Sequence, residues 1–101
     1  MKKPRTLDNF EVLRKIHKRP KASQREMAKD LGFSLGKLNY CLKALKEKGF
    51  VKIKNFQKQE KKIKYIHYVL TPKGIAERTR LTINFMKTKI KEYDDLKKEL
   101  D

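Results

Sequence analysis

The 101-residue sequence has no tryptophan, one cysteine, four glycines and three prolines. Because Cys41 is the only cysteine, no disulfide can form within the chain, which fits a reducing compartment. No apolar run approaches the roughly 20 residues that span a bilayer, and the amino terminus lacks the apolar core of a signal peptide. These absences predict a protein of the cytoplasm without a membrane segment.

Patterns of catalysis and of cofactor binding are also missing. The sequence contains no glycine-rich phosphate loop, no Cys/His spacing for a metal and no Ser/His/Asp set. His17 and His67 are isolated, and Cys41 lies on an apolar helix stripe, where a buried thiol acts as a small hydrophobic side chain. We therefore expect that the protein is not an enzyme, has no catalytic residues and binds neither a metal nor a cofactor.

Acidic residues are scarce: 12 Asp and Glu stand against 28 Lys and Arg, giving a formal charge of +16. Residues 1–71 hold 20 basic and 6 acidic residues, a balance of +14, whereas residues 72–101 hold 8 and 6, a balance of +2. An excess of positive charge destabilises a compact chain, because the charges repel one another. Proteins that keep such an excess usually bind a polyanion. The partner is expected to bind the first seventy residues.

The first half of the sequence predicts three helices. Thr6 or Asp8 can cap a first helix that runs to about His17. Ser23 begins a Ser-x-x-Glu capping box, and Gly32 ends that second helix. About three residues then lead to the next helix, which is the spacing of a helix-turn-helix.

The third helix is predicted from Ser34, as its N-cap, to Gly49, where the chain can turn left-handed. Its apolar residues fall at i, i+3, i+4 and i+7, so they form one buried stripe. The stripe is Leu38, Cys41, Leu42 and Leu45. The polar residues lie off it, either as a solvated surface or as a binding face.

After Gly49 the apolar period changes from 3.6 to about 2, which predicts two strands. Residues 50–56 form the first, 57–62 a charged turn, and 63–70 the second. A helix-turn-helix followed by such a hairpin is a winged helix, although the hairpin could also be a plain ribbon that completes a small core. We expect both, with the strand bases packed and the tip projecting.

A last helix is predicted from Pro72 toward Leu100, with Thr71 as N-cap. Its residues at alternating steps of three and four form a seam typical of a coiled coil. The seam is Ala76, Thr79, Ile83, Met86, Ile90, Tyr93, Lys97 and Leu100. Packing on the first helix would account for residues 75–85 but not for 90–100, so we expect pairing with a second copy. The residues predicted to dimerise are Ile83, Met86, Ile90, Tyr93, Leu96 and Leu100.

Three stretches carry a resemblance to a known family. They are Ser23-Gln24-Arg25-Glu26-Met27-Ala28, the helix exit Leu45-Lys46-Glu47-Lys48-Gly49-Phe50-Val51, and Tyr68-Val69-Leu70-Thr71-Pro72-Lys73-Gly74. Together, residues 23–75 resemble the multiple-antibiotic-resistance-regulator (MarR) type of winged-helix transcription factor. The compact form is similar to small MarR-type regulators associated with exopolysaccharide gene clusters.

The resemblance implies a homodimer on a pseudo-palindromic operator, with one recognition helix per half-site. The fold class is then mainly α with a small β-hairpin. Residues 1–71 are the winged helix-turn-helix DNA-binding domain and residues 72–101 the dimerisation helix of one structural unit. Two departures stand out. The wing tip has no arginine. We also expect the family's N-terminal dimerisation helix to be absent, and with it the family's effector pocket.

The DNA-binding residues follow from this motif. Asn39 suits adenine, Lys37 suits guanine, and Gly36 permits close backbone approach. The start of the second helix is expected to hold phosphates, and the wing lysines the backbone. The full set is Ser23, Gln24, Arg25, Ser34, Leu35, Gly36, Lys37, Asn39, Tyr40, Lys43, Lys54, Lys58, Lys61, Lys62 and Lys64. The alternative function is a winged-helix module for protein–protein or RNA interaction.

Overall fold

The computed structural model describes residues 6–58 and 63–100, with the side chains of 55–58 and 63–66 left out. Its elements are α1 (Thr6–Lys18), α2 (Gln24–Leu31), α3 (Leu35–Glu47), β1 (Val51–Lys58), β2 (Ile63–Leu70) and α4 (Pro72–Lys98). The predicted fold class, mainly α with one small hairpin, is confirmed. No helix in the described ranges is long and apolar enough to cross a membrane.

The helix-turn-helix forms as its local signals predict. Ser23 Oγ accepts a hydrogen bond from the Glu26 N–H at 3.1 Å, which caps α2. Gly32 has φ = 70° and its N–H bonds to the last carbonyls of α2, so the chain turns there at little steric cost. Ser34 Oγ caps α3 by accepting from the Lys37 N–H at 3.1 Å.

Two predicted helix ends need correction. Thr6 and Asp8 both lie inside the first turn of α1, so neither is its N-cap. The α3 helix ends at Glu47 rather than Gly49, because Lys48 is its C-cap and Gly49, at φ = 79°, already belongs to the turn. The glycine does reverse the chain, but two residues beyond the last helical one.

The hairpin is antiparallel, and its register pairs Val51 with Leu70 and Lys58 with Ile63. The second strand has the predicted bounds. The first is displaced: it starts at Val51 rather than Phe50, and it includes Gln57 and Lys58, which the sequence pattern places in the turn. Strand pairing depends on backbone hydrogen bonds, so polar residues continue it. The remaining turn residues, 59–62, lie outside the described part of the chain.

The core is built where α1, α2 and α3 meet, and it is closed by β1 and α4. Leu13, Leu38 and Leu42 are fully buried at its centre. The complete cluster is Phe10, Val12, Leu13, Ile16, Met27, Ala28, Leu38, Cys41, Leu42, Leu45, Val51 and Leu81. All four predicted stripe residues of α3 belong to it, so the opposite face of α3 is left for solvent or a ligand.

The first half of α4 packs on α1, which was the predicted alternative to pairing with a second copy in this part of the helix. Leu81 is buried, and the rings of Phe10 and Phe85 stack with centroids 4.9 Å apart. Ile75, at the start of the range that this packing was expected to explain, is about half exposed. From Met86 to Leu100 every residue of the chain is exposed.

Candidate nucleic-acid interface

The outer face of α3 is polar and open. Gly36, Asn39 and Lys43 are exposed, whereas the residues on the opposite side of the same helix are buried. Lys43 has no carboxylate partner among the described residues. An amide donor and acceptor, an unpaired ammonium and a site without a side chain are therefore presented together on one helix face.

Lys37 is held in place by α1 and the turn rather than extending freely. Its ammonium lies 3.5 Å from a carboxylate oxygen of Asp8 and 4.1 Å above the ring of Phe33. The Lys37 ammonium thus makes an ion pair with Asp8 and a cation–π contact with Phe33. A contact of Lys37 with a base would require this arrangement to open, a condition that the sequence pattern did not reveal.

The other predicted residues of this face differ in exposure. Leu35 is exposed at the start of α3, whereas Tyr40 is half-buried. Ser34 is exposed, and its oxygen caps the helix while its O–H remains able to donate.

The start of α2 offers a second cluster of donors. The N–H groups of Gln24 and Arg25 have no acceptor among the described residues, as expected for a first helical turn. Arg25 is exposed and has no acidic partner in the same ranges. Free N–H groups, a cation and the positive end of a helix dipole all favour an anion at this point.

The acidic residues of α2 pair with cations of α1 and of the turn that follows it. Asp30 pairs with Arg19 and lies 3.8 Å from the ammonium of Lys15. Glu26 lies 3.1 Å from the guanidinium of Arg19. Since these carboxylates are already compensated, the excess positive charge remains on α3 and the hairpin, where Lys46 and Lys52 are exposed.

The wing can be described only in part. Lys54 is exposed near the middle of β1. Lys58 and Lys64 lie in the paired strands, but their side chains are not described, and Lys61 and Lys62 fall outside the described residues. The contribution of the wing lysines therefore stays a prediction.

The lone cysteine is not part of the surface. Cys41 is 1% exposed, and burial raises the pKa of its thiol, with Asp8 adding to the shift. The thiol consequently stays protonated and unreactive at neutral pH. Among the described residues no group of three His, Cys, Asp or Glu could hold a metal ion.

The stretch of residues 68–74, one of the three that resemble MarR-type regulators, joins the hairpin, α4 and the end of α3. Thr71 Oγ1 accepts from the Gly74 N–H at 3.0 Å and its hydroxyl donates to the Gly49 carbonyl at 2.6 Å. The Thr71 N–H bonds to the Phe50 carbonyl at 3.1 Å. Gly74 is required here, because a Cβ would come within 1.8 Å of the Phe50 oxygen. The motif thus fixes α4 and the hairpin against the end of α3.

A second candidate surface lies on α4. The six residues predicted to dimerise are 47% to 87% exposed, although all are large and apolar. Beside them is a groove between α1 and α4 that sequence reasoning missed. Its cations Arg14 and Lys18 are spaced i, i+4 on α1, next to Phe10, and that spacing was the available signal.

These features define a winged helix-turn-helix protein. Residues 9–52 match the family profile described as winged helix-turn-helix DNA-binding. No curated protein matches the chain significantly in sequence.

Solved structures place the fold more narrowly. Staphylococcus aureus MarR in complex with salicylate and kanamycin is similar at a TM-score of 0.68 and 20% identity, over 86% of this chain and 56% of that one. Streptococcus pneumoniae FabT in complex with DNA gives 0.63 and 23%, over 90% and 61%. A mutant of E. coli MarR complexed with operator DNA gives 0.58 and 28%, over 71% and 49%.

The chain has the fold of MarR-type regulators, as its sequence resemblance predicted. It spans between about half and three-fifths of the length of these three structures. The expectation that it is not an enzyme is supported, because the matched domain is a DNA-binding one and the similar folds are MarR-type proteins.

Proposed function

We propose that this protein is a sequence-specific double-stranded DNA-binding transcriptional regulator that acts as a homodimer in the cytoplasm. The observation that carries the proposal is the exposed polar face of α3, backed by a buried apolar stripe and free of acidic partners at Lys43. Solved relatives of the same fold, FabT and MarR, are bound to DNA, which supports it.

In this proposal α3 lies in the major groove and its amino-terminal half faces the base edges. Asn39 pairs with adenine through its amide, and Gly36 lets the helix backbone approach the bases. Lys37 first leaves Asp8 and then reaches a guanine or a phosphate. Leu35 and Tyr40 supply apolar contact at the rim of this face.

Phosphate contacts orient the domain. Ser23, Gln24 and Arg25 hold one phosphate at the start of α2, and Ser34 donates its hydroxyl to another. The wing lies along the backbone and contributes lysine ammoniums. Its proposed residues are Lys54, Lys58, Lys61, Lys62 and Lys64.

The uneven distribution of positive charge supports separate roles for the two parts of the chain. Residues 1–71 bind DNA, and residues 72–101 join two copies so that two recognition helices meet a pseudo-palindromic operator. The exposed apolar residues of α4 support this role, since a helix with such a surface is stable in water only when it is covered. The dimer residues proposed are Ile83, Met86, Ile90, Tyr93, Leu96 and Leu100.

Binding to random duplex DNA, followed by fluorescence anisotropy at several salt concentrations, tests the electrostatic part. If 6–10 phosphates are neutralised, the affinity falls by roughly 10³–10⁵ between 50 and 200 mM salt. A flat salt response, or no retention of duplex at low salt, would instead favour a protein-binding or RNA-binding module.

Sequence specificity is tested by selecting bound sites from a random pool and then comparing two variants on the best site. Asn39→Ala is expected to relax the preference by about 1–3 kcal/mol while nonspecific binding stays nearly unchanged. Asn84→Ala, an exposed asparagine on α4, is the matched control and should change neither. Equal losses on specific and random DNA would show that Asn39 does not contact a base.

A further inference from the structure

The carboxyl-terminal half of α4 projects from the domain, and from Met86 to Leu100 no side chain is covered by the described part of the chain. The molecule measures 64 Å along its longest axis and at most 29 Å across, and its Cα radius of gyration is 16.6 Å. A compact domain of this length would have a radius of about 13 Å. The projecting half carries Met86, Ile90, Tyr93, Leu96 and Leu100, all more than half exposed.

A groove of about 540 Å³ lies between α1 and the start of this projecting half. Its floor is aromatic, formed by the stacked rings of Phe10 and Phe85. The Nε of Arg78 is buried there and has no hydrogen-bond partner among the described residues. The cations that line the groove are Arg14, Lys18, Arg78 and Lys89. Lys89 also lies 3.3 Å from its own Glu92, in an exposed pair.

The charge changes sign near the carboxyl-terminal end of α4, between residues 91 and 92. Residues 72–91 contain six basic residues and one acidic residue, a balance of +5. Residues 92–101 contain two basic and five acidic residues, a balance of −3. A second copy of the helix therefore matches this one electrostatically only when it runs in the opposite direction.

We propose that α4 pairs antiparallel with α4 of a second copy, so that each acidic end lies in the other copy's basic groove. This inference rests on the proposed homodimer and specifies its geometry. The occupant of the groove is the segment 92–100 of the second copy, which brings Leu96 to the aromatic floor and carboxylates to the cationic rim.

The spacing of the seam fixes the register of the pair. In an antiparallel coiled coil, alternating seam positions face each other, so Ile90 packs on Tyr93 of the second copy. The same layer rule pairs Ile83 with Leu100, and Met86 with the stem of Lys97. Every apolar seam residue from 83 onward then has a partner.

Residues beside the seam agree with this register. Thr82 and Lys89 line the groove, and Leu96 continues their seven-residue series on the same side of α4. Glu92 and Glu99 continue the series of Arg78 and Phe85 in the same way. In an antiparallel pair, the side of the seam that lines the groove in one copy of α4 faces the same side of the seam in the other copy. Leu96 and both glutamates of the second copy therefore face the groove. On the opposite side of the seam, Lys87 lies beside Asp94 of the second copy.

In a parallel pair of α4 helices, fewer of these charged side chains would find a partner of opposite charge. Lys97 would face Lys97 of the second copy across the seam, where two ammoniums repel. Lys87 would lie beside Thr82, and the acidic ends would meet each other, far from both grooves. The groove and its buried Arg78 Nε would stay uncovered.

Cross-linking distinguishes the two directions. In a Cys41→Ala background, Ile83→Cys and Leu100→Cys are made separately, oxidised alone or after subunit exchange, and run on a non-reducing gel. These positions are seventeen residues apart, which is about 25 Å at the rise of an α-helix, so no disulfide can join them within one chain or in a parallel pair. We expect a cross-linked dimer in the mixture and almost none with either variant alone.

A charge exchange provides a second, independent measurement. Lys87→Glu and Asp94→Lys should each weaken the dimer roughly tenfold in sedimentation equilibrium, because each creates two like-charge pairs. The double variant should return to within about threefold of the wild type. A parallel pair would not be restored by this exchange.

The outcomes separate this geometry from the proposed function. Cross-links of each variant with itself, or a dimer that neither experiment affects, would overturn the antiparallel pairing while DNA binding by the wild type stands. A wild-type chain that is monomeric at micromolar concentration would overturn it as well. Conversely, mixed cross-links in a protein that fails to bind DNA would leave the pairing intact and overturn the proposed function.

Discussion

Substitution of Gly74 by alanine should be among the most damaging single-methyl changes in this chain. A Cβ on Gly74 would lie 1.8 Å from the carbonyl oxygen of Phe50 and 2.8 Å from its carbon. Ordinary van der Waals contact begins at 3.4 Å, so the two backbones must separate by about 1.6 Å. Neither atom is the end of a flexible side chain, so the strain cannot be relieved locally.

The magnitude follows from the bonds that this separation breaks. Thr71 joins the segments through its N–H to the Phe50 carbonyl and through its hydroxyl to the Gly49 carbonyl. Each hydrogen bond contributes about 1 kcal/mol, and overpacking costs a further 1–3 kcal/mol. The higher helix propensity of alanine returns about 0.5–1 kcal/mol. The free energy of unfolding should therefore fall by about 2–4 kcal/mol.

Thermal and urea denaturation followed by circular dichroism measure the effect. At about 4–8 °C for each kcal/mol, Tm should fall by roughly 8–32 °C. Gly36→Ala is the matched control, because nothing lies within 4 Å of a Cβ there and the residue is helical. It should raise the free energy of unfolding by up to about 1 kcal/mol. If Gly74→Ala melts within about 3 °C of the wild type, the contact with Phe50 does not constrain the fold.

Two further predictions concern α3. Asp8→Asn removes the ion pair that holds Lys37, so it should tighten binding to random duplex DNA a few-fold. It should lower the free energy of unfolding by less than about 1 kcal/mol. Unchanged or weaker binding would show that Lys37 does not reach the DNA. Cys41, buried and with a raised pKa, should react with iodoacetamide in the native protein only as fast as the chain opens; rapid modification at neutral pH without unfolding would contradict this.

Much of the candidate site could be predicted from the sequence because its signals are local. The capping serines Ser23 and Ser34 act on N–H groups three residues away, and the buried stripe of α3 repeats within a single helix. Such signals determine where a helix starts and which face is polar. The face that carries Asn39 and Lys43 was therefore predictable, whereas its contact with DNA remains a prediction.

The hairpin and the last helix were predicted with less accuracy because their limits depend on pairing. The alternating pattern located both strands, but it ended β1 at residue 56, whereas pairing with β2 extends it to Lys58. On α4 the seam pattern drew attention to residues that face outward. Leu81 and Phe85, which contact the core, lie off the seam.

The sequence by itself determined the order of helices and strands, the apolar stripe of each helix and the excess of positive charge, because each depends on neighbouring residues or on composition. Only the tertiary structure decided that Lys37 is held by Asp8, that Gly74 must have no side chain, and that a cationic groove opens beside the seam. These features join residues at least 24 positions apart in the chain. No local pattern encodes such contacts, since they arise when separately formed elements pack together.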